Sequence, residues 1–364
     1  MVTTSSRSQT RQTSKATDYL SRANVAWSFV LWIVLQVNQA LQAAVQVLLL
    51  PVKAVSPATA ILFRNHLLRF GWTPAFLSLR YSSRIRIVVT GDSVPEGELL
   101  GFMANHQSYA DSFVISYFLR CIGRANGGML WIIWKSFILF PLGWASKMSE
   151  HVFVGYGKEK DLQATAEGCQ GLLKRGFHSV VFFPEGAVKR PSTQLKAQEY
   201  ALAQGLPHYQ HVLCPKTGAF ALITHALRLQ GCKEYVDITI GFPDASFTGR
   251  IFNNLPLDIW GIMARAPEPQ DVHLHLQRIP LSELGETEAE QTRWLFQHFA
   301  TKDKLLHEFR QTGRFAGVSE VFVPRTRAML LDAAAWLSLL ASLYTFLSLF
   351  WTPLWRLHSS VLLL

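Results

Sequence analysis

The chain has 364 residues, 35 Lys and Arg against 25 Asp and Glu for a formal net charge of +10, and 49% apolar residues, too apolar for a disordered or fibrous protein. Only 16% of residues are charged, below the roughly 25% usual in soluble globular domains, so the composition points to a membrane-associated protein. Cys121, Cys169, Cys214 and Cys232 are scattered, with no C-x-x-C pair and no His at zinc-ligand spacing, so neither a disulfide framework nor a metal site is expected. The positive balance suits a polyanion. Apolar segments at both ends favour anionic lipid over nucleic acid, for which no binding motif occurs.

Residues 1–24 are rich in Ser and Thr, carry Arg7, Arg11, Lys15 and Arg22 against Asp18, and read as a disordered basic arm. An Arg- and Ser-rich, acid-poor start also fits a mitochondrial transit peptide. From Val25 to Val52 no residue is charged, a run of 28. At about 1.5 Å per helical residue that run is long enough to cross a ~30 Å hydrocarbon core. Gln36, Asn38, Gln39, Gln42 and Gln46 near its middle make a lone span costly unless their amides find partners on another helix, so residues 25–52 either span or re-enter. Arg64, Arg69, Arg80, Arg84 and Arg86 follow as a basic collar suited to anionic headgroups.

Strands are predicted over 85–90, 99–105, 151–155, 178–183, 211–215, 235–241 and 271–277, from their length and β-branched or aromatic content. Helical patterns over 109–121, 158–174, 192–204, 217–230 and 287–310 fall among them, so the expected fold is α/β, a mixed sheet flanked by helices. The 23 uncharged residues Ala333–Trp355, bracketed by arginines and carrying Trp336, Trp351 and Trp355, read as a C-terminal transmembrane helix. The organisation expected is an arm (1–24), a membrane segment (25–52), a catalytic domain (53–324) and a terminal helix (333–355).

Three segments carry chemistry. Asn105-His106-Gln-Ser-Tyr-Ala-Asp111 follows a strand. A five-residue step turns about 500° along a helix, so His106 and Asp111 converge only if His106 sits on the strand-to-helix turn and Asp111 in the first helical turn. There Asp111 can fix the tautomer of His106 and free the other ring nitrogen to take a proton from a hydroxyl. Ser108-x-x-Asp111 also resembles a capping box, which would make Asp111 a helix-end residue and His106 a bystander. Phe182-Phe183-Pro184-Glu185-Gly186-Ala187, with Lys189 and Arg190 beyond, ends another buried strand, and ligands gather at the carboxyl ends of strands in open α/β folds. An ordinary Pro-Glu-Gly turn explains the segment equally well. Val212-Leu-Cys-Pro215-Lys216-Thr-Gly-Ala-Phe220 brings a cation to a helix start, where it holds either phosphate or only solvent. His273 and His275 alternate on one strand with no third ligand and read as structural. The chain has no G-x-S-x-G, Walker A, G-x-G-x-x-G or H-E-x-x-H motif, which argues against a serine lipase, an NTPase, a dinucleotide enzyme and a zincin.

NHQSYAD, FPEGA and VLCPKTGAF, in that order, resemble the signature blocks of the glycerolipid and lysophospholipid acyltransferases. The longer stretches VTGDSVPEGELLGFMANHQSYADSFV, KAQEYALAQGLPHYQHVLCPKTGAF and YVDITIGFP are similar to the lysocardiolipin and lysophosphatidylinositol acyltransferase branch. The resemblance implies acyl transfer from acyl-CoA, a co-substrate, to the free hydroxyl of a lysophospholipid at a membrane bilayer, with no resident cofactor and no metal. It implies His106 as general base, Asp111 as its orienting group, and Glu185 and Gly186 on the glycerol or phosphate of the acceptor, with Lys216 where relatives place Arg or Lys. Asn105, Phe183, Pro184, Lys189 and Pro215 complete the expected substrate-binding set. A CoA-independent transacylase and a non-catalytic lipid-binding protein are the alternatives. The family's second block ends in arginine, where this chain has Tyr156, with Lys158 the replacement cation two residues on, and Ala187 replaces the common Thr or Ser. The endoplasmic reticulum is the membrane implied, with mitochondria as the alternative.

Overall fold

The computed structural model describes residues 22–95, 99–124, 128–242, 263–266 and 268–322, with single residues at 330, 333, 334, 337 and 341. The basic arm before residue 22 and the terminal helix at 333–355, apart from helical Ala333, Ala334, Leu337 and Ala341, lie outside the described residues. The chain divides into two compact units, Met1–Val323 and Pro324–Leu364, and every element below belongs to the first.

The first helix, α1 (Arg22–Leu48), is followed by α2 (Leu50–Val55), α3 (Pro57–Gly71) and α4 (Thr73–Leu77). Its residues Ala26–Leu48 are long and apolar enough to cross a membrane, yet the polarity of the helix is inside out. Gln36, Asn38, Gln39, Gln42 and Gln46 are all buried against the protein, whereas Phe29, Val30, Ile33, Val34 and Val37 are exposed. The amide groups of Asn38 and Gln39 both donate to the Gly71 carbonyl at 2.8 Å, and the Gln46 amide donates to Ser149 Oγ at 3.1 Å. The Gln36 carbonyl oxygen accepts from Leu142 N at 3.3 Å. Four of the five amides thus find partners outside their own helix, and Gln42, fully buried, makes no side-chain hydrogen bond among the described residues. Gly71 leaves room for this approach, since a Cβ there would displace the amide end of the Gln42 side chain. The basic collar is partly consumed by the protein itself: Arg64 is buried beside Glu150, and Arg86 makes a two-point pair with Asp271.

The remaining elements alternate as β1 (Ile85–Gly91), β2 (Leu100–Ala104), α5 (Ala110–Cys121), β3 (Met129–Trp134), α6 (Pro141–Met148), β4 (Val152–Val154), α7 (Lys158–Gly168), β5 (Ser179–Phe182), α8 (Pro191–Ala203), α9 (Thr217–Leu229), β6 (Glu234–Gly241), β7 (Gln270–Pro280), α10 (Glu288–Thr312) and β8 (Ser319–Phe322). The eight strands form one sheet in the order β4-β3-β5-β2-β6-β7-β1-β8. The first five run parallel, and β7 pairs antiparallel with β6. Strands β2 and β5 are buried throughout, as expected when helices cover both faces of a parallel region. Met103 and Phe182, partners in register, pack with Phe220, Ile223, Leu227, Leu295 and Phe299 of α9 and α10 in the main core.

Two strands, β3 and β8, lie outside the predicted set, and one predicted strand is not formed. Residues 211–215 are irregular, because side chains rather than a neighbouring strand take up their backbone N–H groups. On the core face, Lys302 of α10, 2% exposed, donates to Asp237 Oδ1 of β6 at 2.7 Å and to the Ile238 carbonyl at 3.2 Å. A cation so deeply buried is tolerable only with such a partner, so this pair pins α10 to the centre of the sheet.

Candidate active site

Adjacent parallel strands end at the same edge of a sheet, so β2 and β5 deliver the His106 turn and the Phe183–Gly186 turn side by side. His106 Nδ1 lies 3.0 Å from Asp111 Oδ2. The same oxygen accepts the backbone N–H groups of Gln107 at 2.7 Å and Ser108 at 2.8 Å. Only half of a capping box forms, since Asp111 takes Ser108 N while Ser108 Oγ takes Ala110 N, and the same carboxylate holds the imidazole, so His106 is not a bystander. Asp111 is completely buried, and burial pushes its pKa up against the opposing hydrogen bonds from His106, Ser108 and Gln107. Phe183 stacks on the His106 ring with centroids 3.9 Å apart and planes 7° from parallel, which fixes the ring plane.

The backbone of the turn is held from two sides. Asn105, fully buried, spends its amide on β6, donating to the Ile240 carbonyl at 3.2 Å and accepting from Ile240 N at 2.7 Å, so its side chain acts as one more rung between β2 and β6. Glu185 is 3% exposed and places one carboxylate oxygen on His106 N and the other on Leu213 N, both at 2.9 Å. The three motifs are also joined through their main chains, with Lys189 N donating to the His106 carbonyl at 2.7 Å and Lys216 N to the Pro184 carbonyl at 2.8 Å. Gly186 has φ +65°, and its missing Cβ leaves room for the Lys216 ammonium stem that lies over it.

His106 opens onto a cavity of about 620 Å³. Of the residues expected to bind substrate, Phe183, Pro184, Gly186 and Lys216 line it, whereas Asn105, Glu185, Lys189 and Pro215 do not. Arg190 lines it in place of Lys189, with its guanidinium 4.8 Å from the centre of the Tyr109 ring, and Lys196 adds a third cation. The opposite chemistry comes from Trp72, Phe113, Trp131, Phe137 and Leu142. Trp72 packs edge-on against Phe113 at 5.1 Å, so the N-terminal helices contribute directly to the apolar wall. Phe113 sits two residues beyond Asp111 on α5, whereas Trp72, Trp131, Phe137 and Leu142 lie in segments with no motif. Tyr156 is exposed and carries Lys135 4.9 Å from its ring centre, which puts a cation from the end of β3 beside the position where arginine was expected. The arrangement fixes an imidazole against a space lined by aromatic and aliphatic side chains and by three cations.

Burial raises the Glu185 pKa from 4.5 to about 8, outweighing its two N–H donors. A carboxyl whose pKa is higher in the folded state binds its proton more tightly there, so its contribution to stability is complete below pH 4.5 and is lost as pH rises through about 8. Glu185→Gln removes that titration. The melting temperature of the variant should gain on that of the parent as pH rises across this window, as thermal scans at successive pH values will measure.

Two family models match the chain: Acyltransferase over residues 86–242, and Acyltransferase C-terminus over residues 262–336. The first contains the His106, Glu185 and Lys216 segments, and the second contains α10. Lysophosphatidylinositol acyltransferase 10 of Caenorhabditis elegans is 28% identical over 243 residues, 64% of this chain and 58% of that protein. The probable 1-acyl-sn-glycerol-3-phosphate acyltransferase 5 of Arabidopsis thaliana is 26% identical over 280 residues, 75% of this chain and 70% of its own. Among solved structures, the 1-acyl-sn-glycerophosphate acyltransferase PlsC of Thermotoga maritima aligns with 78% of this chain and all of its own, at 16% identity and a TM-score of 0.40. With both models matched in chain order and the sequence blocks that resemble the family brought to one cavity, the chain belongs to the glycerolipid and lysophospholipid acyltransferase family.

Proposed function

We propose that the protein transfers a fatty acyl group from acyl-CoA to the free hydroxyl of a lysophospholipid of the lysophosphatidic acid, lysophosphatidylinositol or lysocardiolipin type. The observation that carries this reading is the His106–Asp111 pair at a cavity with an aromatic wall and the cations Arg190, Lys196 and Lys216. Asp111 accepts the proton-bearing Nδ1 of His106, which leaves Nε2 basic. Nε2 takes the hydroxyl proton as the acceptor oxygen attacks the thioester carbonyl. Collapse of the tetrahedral adduct breaks the carbon–sulfur bond, and the imidazolium returns the proton to the departing thiolate. Both products form without a covalent acyl-enzyme, so binding the two substrates side by side supplies much of the rate. The apolar wall suits an acyl chain, and the cations suit the phosphates of either substrate.

General base catalysis contributes roughly 10²–10⁴-fold, so His106→Ala should lose at least about a hundredfold in kcat while the protein remains folded. The assay is transfer from labelled oleoyl-CoA to lysophosphatidic acid, lysophosphatidylinositol, lysocardiolipin and lysophosphatidylcholine, with phospholipid donors as a second arm. Labelling of an acceptor by the parent and not by the variant supports the proposal. Labelling only from phospholipid donors makes the protein a transacylase, and no labelling in either arm refutes the enzymatic reading.

The inside-out polarity of α1 supports an interfacial mode of membrane binding. A single span would leave its five amide side chains facing lipid, whereas a helix lying on one leaflet keeps them on the protein and offers Phe29, Val30, Ile33, Val34 and Val37 to the acyl boundary. This orientation lets a lysophospholipid enter the cavity sideways from the leaflet, and in the proposed setting the leaflet is the endoplasmic reticulum membrane. Ile33→Glu combined with Val37→Glu alters only exposed positions. Two apolar side chains withdrawn from lipid cost about 1.5–3 kcal/mol each at full burial, so co-flotation with phosphatidylcholine and phosphatidylglycerol vesicles should weaken at least about tenfold. Unchanged flotation would argue for a span.

A further inference from the structure

The segment after α8 has no strand partner, yet four successive backbone N–H groups in it are satisfied by two carboxylates. Asp303 of α10 accepts from Gln210 N at 3.1 Å through Oδ2, and from His211 N at 2.5 Å and Val212 N at 3.1 Å through Oδ1. Glu185 accepts from the next residue, Leu213, at 2.9 Å, and its other oxygen holds His106 N. The neighbour of Asp303 is Lys302, locked to Asp237 and the Ile238 carbonyl on β6. Asp303 therefore stands on a helix that cannot slide against the sheet. Tyr209 adds a further tie, donating its hydroxyl to the Phe296 carbonyl of α10 at 2.7 Å.

We infer that Asp303 is a positioning residue of the acyl-transfer site, setting the 210–213 backbone so that Glu185 keeps the His106 turn in register. The inference rests on the acyl-transfer reading for its kinetic consequence but not for its structural one. The run from Asp303 to His106 consists of hydrogen bonds from backbone N–H to side-chain carboxyl oxygens, and a buried N–H is costly to leave without its acceptor. Without Asp303, three N–H groups lose their acceptor, the segment relaxes toward solvent, and Leu213 N leaves Glu185. A buried carboxyl group deprived of one of its two N–H donors shifts to find another, and the His106 main chain moves with it. Lys216 keeps its own tie to the Pro184 carbonyl, so the cation over Gly186 stays in place. The loss falls on turnover rather than on acceptor binding.

The test uses full-length protein with Asp303→Ala, the isosteric Asp303→Asn, Glu185→Gln and the double variant Asp303→Asn/Glu185→Gln. Asp303→Ala should lower kcat at least about tenfold with acceptor KM within about twofold, and Asp303→Asn, which keeps an acceptor oxygen, should lose less. Residues acting in one network are not additive, so the double variant should lose little more than the worse of its two single variants. Hydrogen exchange in the segment 105–108, which Asp303 does not touch, should be faster in Asp303→Ala than in the parent, and this readout stands even if the parent transfers no acyl group. Unchanged kcat in a folded Asp303→Ala protein, a rise in KM alone, multiplicative losses in the double variant, or unchanged exchange at 105–108 would each overturn the inference.

Discussion

The arrangement of this site depends on one buried carboxylate. Glu185 joins the backbone of the His106 turn to the backbone before Lys216, with one oxygen on each N–H. The other ties follow from its position: Lys189 N reaches the His106 carbonyl, Lys216 N reaches the Pro184 carbonyl, and Phe183, two residues before Glu185, comes face to face with the imidazole. Burial raises the pKa of Glu185, so the fold spends stability at neutral pH to keep the group where it is. With both carboxyl oxygens on main-chain N–H groups, Glu185 is placed to hold the frame of the site.

The chain uses polarity in an unusual way at its amino end. An amphipathic helix of a soluble protein turns its apolar stripe inward, but α1 turns its amides inward and its Val, Ile and Phe side chains outward. The buried amides bond to Gly71, Leu142 and Ser149, and the same helical group supplies Trp72 to the cavity. In the proposed function, membrane contact and the acyl-chain wall are thus built by one set of helices, which accounts for how a substrate that lives in the leaflet reaches a base at the edge of the sheet.

The parallel heart of the fold was readable because β2 and β5 are uninterrupted apolar runs ended by polar turn residues. The segment 211–215 reads as a strand for the same reason, being apolar and β-branched, but its N–H groups find carboxylates 28 and about ninety residues away, which no local pattern reveals. Strand β3, a six-residue apolar run with Trp near both ends, has no alternation to separate it from a buried helix. At the site, the spacing let His106 and Asp111 converge on condition that His106 sat on the strand-to-helix turn, and one Asp111 oxygen there takes His106 Nδ1 and the Gln107 and Ser108 N–H groups. What the motifs do not encode is direction. Asn105 and Glu185 belong to blocks that the resemblance assigns to substrate, yet both turn inward to main chain, while Arg190, beside the expected Lys189, faces the cavity. Asp303 has no motif around it at all.

In the proposed function Glu185 acts on His106 and not on the acceptor. Steady-state kinetics of Glu185→Gln across a range of lysophospholipid concentrations test it most directly. A frame residue predicts a fall in kcat with acceptor KM close to that of the parent, because the cations lining the cavity are untouched. A rise in acceptor KM with kcat preserved would contradict the account and return Glu185 to the substrate.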